Sequence, residues 1–280
     1  MSKLLVLDFD GTITDAEVEG APFRGGYLGD VALLAGISAD EAERLAVIFE
    51  AEVAAEPDKY GWVFNGEIVA PASVDPYLRI MPIARKIFDS TGTFLNEADR
   101  TRLLDGILYK YNYKKTVMAF RDGAGEALRG LTGTNTWVVT NSHTEPVQDK
   151  IRTLDGGAGD LQWLVDRVHG RASKYILDDG FDALPVSMSL PGLERPIFLR
   201  RKHYYGVLNE LREACGADWS EVTVVGDIFE LDLALPWHLG AKVGLMVNPF
   251  TPEYEKGFLK DNARGGLLTS LAELWDFAAF

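Results

Sequence analysis

The sequence has little cysteine, a deficit of basic residues and no long apolar run, and each shortage excludes a class of protein. Cys215 is the only cysteine, so no disulfide can form within the chain, as is usual in a reducing cytoplasm. Lysine and arginine number 28 against 42 acidic residues, for a net charge of −14. This balance argues against nucleic acid as a partner, because phosphate backbones are bound by basic patches.

Apolar residues occur only in short runs. The opening run, Leu4–Leu7, is too short for a signal peptide, and no stretch is long enough to span a bilayer. We therefore expect a soluble, cytoplasmic protein that binds neither membrane nor nucleic acid. The sequence carries no signal for an oligomeric state.

Short apolar runs alternate with helical patterns over much of the chain. The runs are Leu4–Leu7, Trp137–Val139, Leu164–Val168, Val222–Val225 and Lys242–Val247, and the helical patterns are Pro146–Leu154, Tyr204–Ala214 and Leu267–Phe277. Strands that alternate with helices indicate an α/β fold, in which helices cover both faces of a parallel sheet.

Residues 16–118 interrupt this alternation. They contain the helical patterns Asp40–Ala55, Arg79–Phe88 and Glu97–Tyr111, and Ser38 with Glu41 forms a capping-box pattern before the first of these. We predict a core made of residues 1–15 and 119–280, with a mostly helical domain, residues 16–118, inserted after the first strand. A smaller two-stranded excursion is predicted over residues 175–200, around the turn pair Pro191-Gly192.

Polar residues follow three of the predicted strands. Asp8 and Asp10 come after the first run, Thr140 and Asn141 after the second, and Asp227 after Val222–Val225, with Asp232 further on. Parallel sheets bind ligands beyond the carboxyl ends of their strands, so these side chains are expected at one edge.

Clustered carboxylates need a counter-charge. Asp8 and Asp10 are two residues apart and can face the same way in extended chain, while Gly11 allows a sharp turn. Asp227 ends another strand, and three carboxylates at one edge would repel each other. A hard divalent cation with oxygen ligands resolves this repulsion, and Mg²⁺ suits a small acidic site that also binds a phosphate.

Three motifs carry a resemblance to a known family. DFDGT at Asp8–Thr12, VVTN at Val138–Asn141 and VVGDIFELD at Val224–Asp232 resemble motifs I, II and IV of the haloacid dehalogenase (HAD) superfamily. The resemblance implies a three-layer, Rossmann-type core with a cap inserted after the first strand. It also implies Mg²⁺-dependent hydrolysis of a phosphate monoester, with a small phosphorylated metabolite as substrate.

The resemblance also implies a role for each motif residue. Asp8 would attack phosphorus and form an aspartyl-phosphate, and Asp10 would act as general acid and then base. Thr140 and the backbone around Asn141 would hold phosphate oxygens. The implied metal ligands are Asp8, the carbonyl of Asp10 and Asp227, with Asp232 a direct or indirect support.

The superfamily's remaining motif, a lysine or arginine that steadies the phosphorylated aspartate, has two candidates. The lysine–proline pair familiar from the superfamily is absent. Lys202 opens the helical pattern before the Asp227 strand, whereas Lys174 follows the third apolar run. We predict Lys202, with Lys174 as the alternative.

Four other functions remain open at this stage. A dehalogenase is disfavoured by Asp10, since those enzymes lack this acid/base residue. A phosphonatase would need a lysine from the insertion, for which the candidates are Lys59, Lys86, Lys110, Lys114 and Lys115. A phosphomutase would use the same core, and a non-catalytic binding protein would keep clustered carboxylates that cost stability. The insertion carries no motif that names the substrate.

Overall fold

Six parallel strands form the central sheet of the computed structural model, which describes residues 3–111 and 116–279. The strand order is β10-β9-β8-β1-β4-β5. The ten described strands are β1 (Leu4–Leu7), β2 (Gly61–Phe64), β3 (Glu67–Pro71), β4 (Thr136–Val139), β5 (Val168–His169), β6 (Ser187–Met188), β7 (Ile197–Phe198), β8 (Val222–Gly226), β9 (Lys242–Met246) and β10 (Gly265–Leu268).

Helices follow most strands of the sheet. The described α-helices are α1 (Ala16–Ala35), α2 (Ala39–Ala55), α3 (Pro76–Thr91), α4 (Glu97–Tyr111), α5 (Ala124–Gly130), α6 (Thr144–Asp155), α7 (Gln162–Val165), α8 (Lys202–Cys215), α9 (Ala234–Leu239), α10 (Glu253–Lys260) and α11 (Leu274–Ala278). A π-helical segment, Phe229–Leu233, precedes α9. The predicted α/β class and the helical insertion after the first strand are confirmed.

Strand β1 is buried on both faces, which explains its continuous apolar sequence. Leu4 and Val6 belong to one apolar core together with residues of α8, whereas Leu5 and Leu7 belong to a second core with residues of α5, α6, α7 and α11. Because side chains of a strand alternate between faces, the sheet separates two layers of helices. The result is the three-layer core predicted from the sequence.

The chain divides into two compact units. The first, here called the sheet unit, comprises Met1–Asp15, Val63–Ala70 and Phe120–Phe280. The second, the helical unit, comprises Ala16–Trp62 and Pro71–Ala119 and contains α1–α4 around a core that includes Phe23, Ile83 and Leu104. The residues of the β2–β3 hairpin from 63 to 70 thus group with the sheet, although the sequence predicts all of 16–118 as one inserted domain.

The segment over which the sequence predicts an excursion contains a small two-stranded sheet. Strands β6 and β7 pair in antiparallel register, with Ser187 opposite Phe198 and Met188 opposite Ile197. Among the described residues, every helix is too short or too polar to cross a lipid bilayer.

Two predicted elements differ in the structure. The apolar run Leu164–Val168, predicted as a strand, is divided between the end of α7 and the start of the two-residue strand β5. The run from Leu267, predicted as helical, begins in strand β10, and α11 starts only at Leu274. Short apolar runs fit a buried strand and a buried helix equally well, which accounts for both errors.

Candidate active site

The carboxyl ends of three adjacent strands meet at one edge of the sheet. In the parallel register of β1, Leu7 lies opposite Val138 of β4 and Val225 of β8. Asp8 follows β1 directly, and its backbone N–H donates to the carbonyl of Val225 at 2.8 Å. The polar residues that follow these strands are therefore neighbours, as the sequence predicts.

Three aspartates form a buried carboxylate group. Asp8, Asp227 and Asp232 are each buried and offer ligand oxygens that all lie within 4.8 Å of one another. Burial of so much negative charge is unfavourable unless a cation compensates for it. Lys174 brings one positive charge to the group. The remaining negative charge and the all-oxygen donor set fit a divalent metal ion.

Lys174 is the cation that the structure places against Asp8. Its Nζ donates to Asp8 Oδ1 at 2.6 Å and to Asp232 Oδ1 at 2.8 Å, and its side chain is 2% exposed. Burial alone would lower the pKa of this ammonium group, but the carboxylates of Asp232 and Asp8 outweigh it and raise the pKa above its ordinary value. Lys174 is therefore a fixed positive charge at neutral pH.

At Asp8, the effect of burial on the pKa outweighs the effect of the neighbouring opposite charge. Burial raises the pKa of its carboxyl group to about 7, although the nearby Lys174 ammonium lowers it. Thr12 donates from Oγ1 to the second oxygen, Oδ2, at 3.2 Å. Each oxygen of Asp8 thus has a donor from the protein.

The structure places Lys174, and not Lys202, in contact with Asp8. Lys202 is the first residue of α8, its side chain is 66% exposed, and its Nζ lies 3.9 Å from Asp178. The position of Lys202 at the start of a helix favoured it in the sequence. In the structure, the loop after the edge strand β5 turns back toward β1 and places Lys174 beside Asp8. The alternative candidate therefore occupies the position beside Asp8.

Asp10 lies outside the buried carboxylate group and is half-exposed. Its Oδ2 accepts hydrogen bonds from Ser142 Oγ at 2.6 Å and from Thr140 Oγ1 at 3.3 Å. Lys150 Nζ, from α6, lies 3.3 Å from Oδ1. The side chain is oriented by donors from the loop after β4 and from α6, so it is held in place while it remains accessible to solvent.

Asn141 and Asp232 both support Lys174. The side-chain carbonyl of Asn141 accepts from the backbone N–H of Lys174 at 2.8 Å. Asp232 accepts from Lys174 through Oδ1 and from the backbone N–H of Ile228 through Oδ2 at 3.0 Å. Both oxygens of Asp232 thus have donors within the protein, as both oxygens of Asp8 do.

Two glycines make room for these carboxylates. A Cβ atom on Gly11, which has φ +79°, would lie 2.0 Å from Oδ2 of Asp227, and one on Gly226 would lie 2.4 Å from Cβ of Asp232. Gly11 therefore leaves space for Asp227 of the other motif, and Gly226 leaves space for Asp232 of its own motif.

Sequence reasoning missed several residues that hold the site. Arg121 donates from Nε and Nη2 to the carbonyl of Gly11 at 2.9 and 2.7 Å, and thereby anchors the loop after β1. Ser142 and Lys150 contact Asp10. Ser142 lies beside the VVTN motif and could have been found there, whereas Arg121 and Lys150 carry no local sequence signal.

The comparison with solved structures identifies the fold. A haloacid dehalogenase-like protein of unknown function from Agrobacterium tumefaciens matches with a TM-score of 0.51 at 15% identity, covering 100% of this chain and 98% of that one. A HAD family hydrolase from Deinococcus radiodurans, with bound phosphate and sodium, matches with a TM-score of 0.51 at 14% identity, covering 99% and 96%. No protein-family model and no curated protein matches the sequence.

Proposed function

Because the chain has the fold of the HAD superfamily of hydrolases, we propose that it is a Mg²⁺-dependent phosphatase. It would hydrolyse a small phosphate monoester through an aspartyl-phosphate on Asp8. The observation that carries the proposal is the buried group of Asp8, Asp227 and Asp232 with Lys174 inserted between Asp8 and Asp232. The bound phosphate in the Deinococcus structure is consistent with it.

The residues present fit a resident Mg²⁺ ion. Asp8, Asp227 and the backbone carbonyl of Asp10 would hold it, and Asp232 would support the group through Lys174. The metal would neutralise negative charge on the transferred phosphoryl group and on the carboxylates that surround it.

Asp8 is suited to act as the nucleophile. An oxygen of its carboxylate would form a bond to phosphorus while the bond from phosphorus to the ester oxygen breaks. Burial and the hydrogen bonds from Lys174 and Thr12 fix the direction of this carboxylate before the substrate arrives. Such preorganisation is the main contribution that a protein makes to phosphoryl transfer.

Asp10 is suited to move the proton. In the first half-reaction it would give a proton to the leaving ester oxygen, and in the second it would take one from the water that cleaves the aspartyl-phosphate. The half-exposed position and the donors Ser142 and Thr140 agree with this role, because the group must reach both solvent and substrate.

Lys174 would hold the phosphorylated aspartate. Its ammonium group already contacts Asp8, and it remains protonated because two carboxylates stabilise its charge. Thr140 and the backbone around Asn141 would bind phosphate oxygens at the end of β4.

The alternative functions receive less support from the site. A dehalogenase has no use for an aspartate that is oriented as Asp10 is. Of the candidate phosphonatase lysines, Lys59, Lys86 and Lys110 are each ion-paired with a carboxylate of the helical unit at 3.1 Å or less. Lys114 and Lys115 lie outside the described residues.

The decisive experiment is phosphate release from an aryl phosphate. We expect turnover with Mg²⁺, none with EDTA, and none from Asp8→Asn, which removes the nucleophile at nearly constant volume. Asp149→Asn, on the exposed side of α6, is the matched control and should keep full activity. Mass spectrometry of acid-quenched enzyme should find a phosphoryl adduct on Asp8. Turnover that survives in Asp8→Asn would contradict the proposal.

A further inference from the structure

Arg201 is a buried arginine that the proposed mechanism does not use. It belongs to the basic run Arg200–His203, where it is fully buried while its neighbours Lys202 and His203 are exposed. Burial lowers the pKa of its guanidinium group to about 10, so the group keeps its charge at neutral pH. A charge held at such a depth costs stability unless its hydrogen bonds are well made.

The guanidinium group donates to three backbone carbonyls from three separate segments. Nε donates to Phe198 at 3.0 Å, Nη2 donates to Val69 at 3.0 Å, and Nη1 donates to Lys174. The fixed fork of the guanidinium sets the relative positions of these segments. One of them carries the lysine that contacts Asp8.

The backbone that leads to Lys174 is strained and held from both sides. Arg171 and Ser173 have φ of +54° and +49°, in a region that non-glycine residues seldom adopt. The N–H of Lys174 donates to Asn141 Oδ1, and its carbonyl accepts from Arg201. Both peptide groups of Lys174 are therefore fixed, and they fix the Cα atom from which the side chain extends to Asp8.

The third acceptor, Val69, belongs to the β2–β3 hairpin. Residues 63–70 of this hairpin group with the sheet unit. Phe64 of the same hairpin packs edge-on against Tyr175, with 5.8 Å between ring centroids. Two contacts thus join the hairpin to the dipeptide Lys174–Tyr175, one through Arg201 and one directly between rings.

We propose that Arg201 is a positioning residue that fixes Lys174 against Asp8 and couples that lysine to the hairpin of residues 63–70. The consequence for catalysis rests on the proposed function, whereas the coupling is a property of the site itself. Displacement of the hairpin would remove one of the three acceptors of Arg201 and loosen the backbone of Lys174.

The test compares Arg201→Met and Arg201→Lys with Arg200→Met. Arg200 is the matched control because it also donates to two backbone carbonyls, those of Leu184 and Asp179, but not to Lys174. The first readout is the ¹⁵N resonance of the Lys174 side chain in lysine-labelled protein, assigned by its loss in Lys174→Met. We expect this resonance to shift or to broaden through faster proton exchange in both Arg201 variants, and to stay unchanged in Arg200→Met.

The second readout is steady-state kinetics. Because a small misplacement of a catalytic group costs up to about 100-fold in rate, we expect kcat of Arg201→Met to fall at least about tenfold with little change in KM. Arg201→Lys keeps a charged donor at the buried position and keeps the test valid if Arg201→Met folds poorly. Added guanidinium ion should also restore part of the activity of Arg201→Ala. Arg200→Met should retain the kcat of the unmodified protein.

The hairpin contact needs its own pair of variants. Phe64→Ala should shift the Lys174 resonance, while Val63→Ala, at an exposed neighbouring position, should leave it unchanged. An unchanged Lys174 resonance in folded Arg201 variants would overturn the positioning role, and an unchanged one in Phe64→Ala would overturn the coupling.

The two proposals fail in different ways. If the Lys174 resonance responds as expected but the unmodified protein releases no phosphate, the proposed function is wrong and the positioning role stands. If the protein is an active phosphatase and neither the resonance nor kcat responds to Arg201→Met, the positioning role is wrong.

Discussion

Gly11 occupies a position where backbone conformation and space both require glycine. Its φ is +79°, and an added Cβ would lie 2.0 Å from Oδ2 of Asp227. We expect Gly11→Ala to cost about 1 kcal/mol in backbone strain and also to displace Asp227. Urea unfolding should report the first effect, and a large loss of Mg²⁺ affinity in calorimetric titration should report the second.

Gly36 supplies the control for this prediction. It has φ of +68°, but a Cβ there would meet no atom within 4 Å. Gly36→Ala should therefore lose a similar amount of stability and keep its affinity for Mg²⁺. Equal Mg²⁺ affinity in the two variants would show that Asp227 does not need the space at Gly11.

Removal of Lys174 and removal of Lys202 are expected to affect phosphate release differently. Removal of one preorganised donor in an active site costs about 10² to 10³ in kcat, so we expect Lys174→Met to lose at least that factor. Lys202→Met should leave phosphate release unchanged, because its side chain is exposed beside Asp178. Assays of the two purified variants under saturating Mg²⁺ decide this, and a larger loss in Lys202→Met would reverse the assignment.

The positions of Asp8 and Asp227 could be predicted because each directly follows a strand, where sequence position implies location. Asp8 and Asp227 follow adjacent strands, and their meeting is a consequence of sheet order. Lys174 was named in this way only as the alternative to Lys202, and Arg121 was not found. Both lie on loops or chain junctions, and their contacts depend on how a connection folds back rather than on a local pattern.

Helix α3 begins at an aspartate whose role is local. Asp75 accepts from the backbone N–H groups of Tyr77 and Leu78 at 2.7 and 3.1 Å, and Pro76 occupies the first helical position. Loss of such a cap typically costs about 1 kcal/mol, which is the expected effect of Asp75→Ala on the free energy of unfolding. Asp75→Asn keeps an acceptor and should lose less in urea unfolding, and equal losses would argue that the cap bonds contribute little.

An element that begins with a clear capping residue was predicted well, whereas an element rich in glycine was not. Ser38 accepts from the backbone N–H of Glu41 at the start of α2, as predicted, although the Glu41 carboxylate binds Arg44 instead of completing a capping box. Strand β10 contains Gly265 and Gly266, which oppose strand formation. A Cβ on Gly266 would lie 2.3 Å from Phe277, so packing selects glycine there against the local preference.

At the scale of the whole molecule, Glu255 makes stability depend on pH. It is fully buried on α10, near the backbone N–H of Phe229 and the carboxylate of Glu230. Burial, and then the nearby charge of Glu230, raise the pKa of its carboxyl group well above the ordinary value of 4.5. The folded state therefore retains a proton that the unfolded chain releases, and stability falls as pH rises above about 4.5.

Glu255→Gln should remove the contribution of Glu255 to this pH dependence. We expect the variant to gain stability relative to the unmodified protein as pH is raised from 4.5 toward 8 in urea unfolding experiments, because the neutral amide carries no ionisation cost. Glu253→Gln, on the exposed face of the same helix, should show no such trend. If the free energies of unfolding of Glu255→Gln and of the unmodified protein differed by a constant amount across this pH range, the prediction would be contradicted.

The layered architecture followed from the sequence, because strand and helix patterns alternate over the core, whereas residues 16–118 show helical patterns without this alternation. The grouping of the β2–β3 hairpin with the sheet unit did not follow from the sequence. Its residues are separated from the rest of the sheet unit along the chain, and the contacts of Val69 with Arg201 and of Phe64 with Tyr175 are long-range. Periodicity describes local conformation and carries no information about such pairs.

The antiparallel bridge between Thr14 and Phe120 has a consequence for how the inserted segment of such a protein can be exchanged in evolution. The bridge places the two ends of the segment between residues 15 and 119 side by side, and the backbone N–H of Arg121 donates to the carbonyl of Ile13 at 3.0 Å. Since the free-energy cost of closing a loop grows slowly with its length, the segment beyond the bridge can be lengthened or exchanged at little cost to the rest. Recombination at this bridge could thus give the molecule a new insertion while the buried aspartates stay in place, provided that the new segment offers Arg201 an acceptor in place of Val69.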